Sequence, residues 1–195
     1  MITDLEQYIA DPINVSFELD ISTPRIIKCF DSLLSAKSYF YFIKVWYIKK
    51  LVSALSEDKK FRPFRFVIKR QFTPKAYMHD SGILYISYGM FLKTSVTVFV
   101  SVLCHELSHI WLSQQDFYPQ LKQLNRQFKD KYSAEKDAIL MSPIEVYARL
   151  VSTSMMDIVL KSLINERKKK KLQFCLNDQL KKLQKLKNML AALQS

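Results

Sequence analysis

Glycine is almost missing from this chain, with two residues in 195, and proline is sparse at six. That excludes collagen-like architecture and leaves little room for flexible linkers or low-complexity sequence. Cysteine is scarce as well. Cys29, Cys104 and Cys175 form neither a paired framework nor a close-spaced zinc pattern, which suits a reducing compartment. Acidic residues are in deficit, with 18 Asp and Glu against 30 Lys and Arg and a net charge of +12. A field of that sign attracts nucleic acid, anionic membrane or acidic protein. No apolar run reaches a membrane crossing, because the longest candidate, Gly82 to Leu103, is interrupted by Lys93 and several hydroxyl residues. Met1 to Ala10 lacks the basic-then-apolar order of a secretory signal, so the expected setting is the cytoplasm.

Hydrophobic residues make up 49% of the chain, enough to close one core, which excludes a disordered polyelectrolyte. Residues 3 to 9 read as a short helix, and Asn14 to Leu19 alternates like a half-buried strand. Thr23-Pro24 is an N-cap followed by proline at the first helical position, so a helix starts there and buries Ile26, Ile27, Phe30, Leu33 and Leu34. From Ala36 to Leu55 the run keeps helical period, with its aromatics assigned to core packing and Lys44, Lys49 and Lys50 among the polar positions. Phe64 to Ile68 is a strand. Ala76 to Met90 reads as two more, turning at Asp80-Ser81-Gly82 and closing at Gly89. Thr94 to Val102 favours a strand by propensity, but the motif that follows requires helix from Ser101 to Trp111. Asp116 to Lys131 reads as a polar helix with Phe117, Leu121, Leu124 and Phe128 inside.

The motif is His105-Glu106-Leu107-Ser108-His109, an H-E-x-x-H in an apolar run. On a helix, residues four apart project from one face, so His105 and His109 can bind one zinc ion through two imidazole nitrogens. Glu106 then lies beside the metal, where a carboxylate can take a proton from water bound to the ion. Cys104 lies about 100° round the helix from His105 and is assigned to the core.

Two histidines do not complete such a site, and His79 is assigned to a turn or edge. A downstream carboxylate is required. Glu145, in Ser142-Pro143-Ile144-Glu145, starts an apolar helix on which Ala148, one turn later, permits close approach. Two alternatives stand beside it: Ser142 and Glu145 also spell a capping box, and Glu135 is the next carboxylate in line. The reading adopted here is His105, His109 and Glu145 on zinc, with Glu106 as the base.

H-E-x-x-H with a later helical glutamate, here Pro143-x-Glu145-x-x-Ala148, resembles the gluzincin branch of the zincin metallopeptidases, and compact bacterial or mobile-element members in particular. The resemblance spans about residues 64 to 159. It implies an α+β, zincin-like fold, mostly helical, with a small mixed sheet of three to four strands packed on the H-E-x-x-H helix. It also implies a zinc metallopeptidase acting on a protein or peptide, with the sheet's edge strand over the active helix. The chain departs from thermolysin-like members in carrying Arg149, not an acid, four positions after Glu145. The oxyanion-stabilising group is expected among Tyr85, Tyr88, Tyr132 and Tyr147.

After Asn165 the composition changes, so the expected division is a domain at 1–165 and a basic tail at 166–195. Leucines 172, 176, 180, 183, 186, 190 and 193 recur at helical spacing among lysines. This amphipathic helix packs on the domain, self-associates or meets an anionic partner. Alternative functions are a zinc-binding regulator or scaffold without useful catalysis, and a nucleic-acid-binding protein using the basic helix.

Overall fold

An apolar helix, α5 (Val96–Ser113), runs through the centre of the molecule, and the other elements are placed by how they cover it. The structure is a computed structural model that describes residues 4–12, 17–36, 41–79, 82–135 and 137–193. Ser95 caps α5 by accepting the Val98 N–H, and the chain is helical straight through the β-branched stretch. Packing decides this: Phe99, Val100, Leu103, Cys104, Leu107 and Ile110 are all buried, outweighing a strand preference worth tenths of a kilocalorie per residue. α5 is apolar and long enough by composition to cross a membrane, but most of it lies buried within the fold.

The helices before it are α1 (Leu5–Ala10), α2 (Pro24–Ser35) and α3 (Tyr41–Glu57). Thr23 caps α2 as its spacing predicts. α3 is rotated from the sequence expectation. Its buried stripe is Lys44, Ile48, Leu51 and Leu55, at helical spacing, while Phe42, Ile43 and Trp46 are exposed. Lys44 reaches the core because its ammonium donates to the Phe91 carbonyl at 2.8 Å. The expected strand Asn14–Leu19 has residues 14–16 outside the described residues. Phe17 to Leu19 pair with no strand, and Phe17 instead packs its ring edge-on against Trp111 and Tyr147.

Three strands form the sheet among the described residues: β1 (Arg65–Lys69), β2 (Ala76–His79) and β3 (Ile83–Ser87), in the order β1-β3-β2. β3 is central, parallel to β1 with Arg65 opposite Ile83, and antiparallel to β2 with Tyr77 opposite Tyr85. Gly82 enters β3 at a φ of 73°, a backbone conformation that side-chain-bearing residues rarely adopt. Gly89 does not close this strand. Ser87 ends it, accepting the Lys75 and Met90 N–H groups and so capping a new helix, α4 (Tyr88–Lys93). Gly89 sits in that helix against the Phe72 carbonyl, where a Cβ would lie 2.2 Å from the oxygen.

α6 (Tyr118–Tyr132) buries Leu121, Leu124 and Phe128 and is followed by a single turn, α7 (Ala138–Met141). α8 (Pro143–Ser162) packs along α5 with Val146, Ala148, Val151, Met155 and Val159 buried. The last helix, α9 (Glu166–Ala191), lies on α8 and α5 through Leu172, Leu176, Leu186 and Leu190, members of the same core cluster. Its leucine face is therefore covered by the chain itself, apart from Leu180, which is exposed.

Candidate metal centre

Two helix faces and one strand edge meet over the second half of α5. His105 and His109 stand one turn apart, with their Nε2 atoms 3.3 Å apart and their rings edge to face. Glu145 arrives from the first turn of α8, its Oε2 3.4 Å from His105 Nε2 and its Oε1 3.4 Å from His109 Nε2. The three residues offer ligand atoms that all lie within 4.8 Å of one another.

These separations can be tested against a metal. Ligand bonds of about 2.0–2.1 Å in a tetrahedron put neighbouring donor atoms about 3.3 Å apart. The 3.3 Å between the two Nε2 atoms matches that edge, and each imidazole has a different Glu145 oxygen at 3.4 Å; two imidazoles with one carboxylate are a donor set of the kind that divalent metals take. The residues present fit a metal ion.

Local structure explains how Glu145 gets there. Pro143 occupies the first helical turn and Ser142 sits at the N-cap in extended backbone, but the Ser142 side chain makes no capping bond. The capping-box alternative therefore does not describe this turn, and the Glu145 carboxylate faces the imidazoles. Asn125 on α6 supplies the missing acceptor, taking the Ile144 N–H at 3.3 Å and tying α8 to α6 beside the site. Tyr8 donates to the Met141 carbonyl at 2.5 Å, fixing the chain just before the proline. Glu135, the other carboxylate considered, is exposed after α6 and outside the cluster.

Glu106 is only 8% exposed. Burial pushes its carboxyl above the ordinary carboxylate range, and Glu145 adds to that push. His105, His109 and the Met78 backbone N–H oppose it. For Glu145 burial also disfavours the charge, but the two histidine partners outweigh it and hold the carboxyl well below its ordinary range. Two neighbouring carboxyls are thus driven apart, one towards staying ionised and one towards accepting a proton. That division of labour is common where one acid binds and the other transfers protons.

The site opens into a cleft of about 510 Å³. One wall is β2, through Ala76, Tyr77 and Met78, and the other is α6, through Tyr118, Lys122, Asn125 and Lys129. Lys75 O accepts from Ser87 and His79 O from Gly82, so the odd-numbered residues of β2 turn inward to β3. Ala76 and Met78 therefore present their backbone groups outward, and Met78 N–H meets Glu106.

None of the four tyrosines expected at an oxyanion lines this cleft. Tyr147 is buried between Tyr8 and Phe17, Tyr132 packs on Phe128, Tyr88 lies between Phe72 and Tyr41, and Tyr85 stacks on Tyr77. The tyrosines that line it are Tyr77 and Tyr118. Asn125 and Tyr118 escaped the sequence reading, although Tyr118, Lys122, Asn125 and Lys129 recur at helical spacing and mark one polar face of α6. Arg149, where a carboxylate was wanted, bonds Gln179 on α9, which in turn donates to Ser101. His105 Nδ1 is buried without a hydrogen-bond partner among the described residues.

Among known proteins, no protein family, no curated protein and no solved structure matches this chain.

Proposed function

We propose that this chain is a zinc-dependent peptidase of the H-E-x-x-H type. One observation carries the reading: two imidazole nitrogens and a carboxylate from a separate helix converge within 4.8 Å, beside a buried carboxyl raised above its ordinary pKa. Unpaired, such a cluster is costly to bury, and a divalent cation is the partner that satisfies all three donors. A zinc ion held by His105, His109 and Glu145 supplies Lewis acidity towards a water and a carbonyl oxygen.

The remaining work falls to the chain. Glu106 holds the proton taken from the attacking water, and its raised pKa suits passing that proton on to the departing amine. β2 is an edge strand whose outward backbone groups can hold an extended peptide beside that carboxyl. Three buried, free cysteines accord with work in a reducing compartment such as the cytoplasm.

The test is metal content after reconstitution with zinc, together with cleavage of a peptide library. About one zinc per chain and hydrolysis lowered at least about 100-fold by Glu106→Gln support the reading. A chain that holds no zinc after reconstitution refutes it.

A second reading, a metal-holding regulator without turnover, is favoured by the bare His105 Nδ1, because metal-binding imidazoles ordinarily donate that N–H to an acceptor. Its signature is bound zinc, no cleavage of any library member and no effect of Glu106→Gln on biological activity.

A further inference from the structure

We infer that the cleft selects peptides carrying acidic side chains close to the bond that is cut. The inference rests on the peptidase reading and adds to it the class of substrate. The two cleft walls divide the work: β2 offers backbone groups, which read no side chain, whereas α6 offers side chains. Two of those are cations, Lys122 and Lys129, seven residues and therefore two helical turns apart on one face. Both are exposed, and neither pairs with a carboxylate among the described residues. Lys122 lies over the Tyr118 ring, 5.6 Å from its centroid, which holds it on the cleft side of the helix.

Among the described residues the cleft's only carboxylates are Glu106 and Glu145, both committed to the metal centre. Lys69, outside the cleft lining, bonds the hydroxyl of Tyr77 on the opposite wall. The surrounding sequence has the same bias. Between Lys59 and Asp130 it carries eleven Lys and Arg against four acids, Asp80, Glu106, Asp116 and Asp130, with Lys60 and Arg62 paired to Asp20 and Asp116. Such a field raises the local concentration of anionic peptides, and the two α6 lysines fix their side chains once the backbone lies along β2.

The test measures binding and cutting separately. Fluorescence anisotropy follows a labelled ten-residue peptide with two glutamates, and its counterpart with two glutamines, on the full chain carrying Glu106→Gln, with and without zinc. The glutamate peptide is expected to bind about tenfold tighter in low salt, with the difference fading at high salt. Adding Lys122→Glu and Lys129→Glu is expected to reverse the preference towards a lysine peptide, and both sites are exposed enough to leave the fold intact. Library cleavage by the unaltered chain is expected to enrich Asp and Glu beside the cut. Equal binding of the two peptides, or a preference untouched by the lysine changes, overturns the inference whether or not anything is hydrolysed. Selective binding without hydrolysis of any peptide retains the acidic selectivity and overturns the peptidase reading instead.

Discussion

Two charged side chains are buried among the described residues, Lys44 on α3 and Glu106 on α5, and their surroundings differ in kind. Lys44 is wholly buried, donates to one carbonyl and lies 5.4 Å from the centroid of the Phe99 ring. Burial is the one influence that shifts its titration among the described residues. Glu106 faces two imidazoles, a second carboxyl and a strand N–H, at the floor of an open cleft. Burial alone therefore does not mark chemistry in this molecule. What marks it is several ionisable groups converging where a ligand can enter.

The sharpest way to break that comparison is to neutralise each charge. Glu106→Gln is expected to lower peptide hydrolysis by about 100-fold to 10,000-fold, the usual worth of a general base, while zinc content by elemental analysis stays near one per chain. Glu145→Ala comes next. It removes a ligand and is expected to weaken zinc binding by more than about 100-fold, beyond what loss of an outer partner costs, whereas Glu135→Ala leaves competition titration with a chelator unchanged.

Asn125→Ala sharpens the contrast from outside the ligand set. It leaves the part-buried Ile144 N–H without its acceptor, so about tenfold weaker zinc binding is expected, with a stability loss of about 1 kcal/mol in urea. The smallest effect belongs to Lys44. Burial lowers its pKa, so between that lowered value and the ordinary 10.5 the unfolded chain binds more protons, and stability rises with pH across that window. Lys44→Met is expected to lose this alkaline rise and to leave zinc binding alone. Urea unfolding at pH 7 and pH 10 reads the difference.

Much of the centre was legible because its logic is local. The four-residue spacing of His105 and His109 fixes a shared face once the segment is helical, and Ser142-Pro143 announces the helix that delivers Glu145. The site's supports were not legible, because they depend on which element covers which. Lys44 falls on an apolar stripe only once α4 is known to supply a carbonyl there. The parallel pairing of β1 with β3 leaves β2 as the edge, an order that strand signals do not contain. Gly89 was misread for the same reason, since its smallness answers the backbone of Phe72, seventeen residues earlier, and not a local turn.

On the proposed peptidase reading, the shortness of β2 sets how long a phrase the cleft can read. Of its four residues only Ala76 and Met78 turn outward, and the Met78 N–H is already engaged by Glu106. A visiting chain finds three main-chain handholds there, enough to grip a few residues and too few to demand an extended consensus.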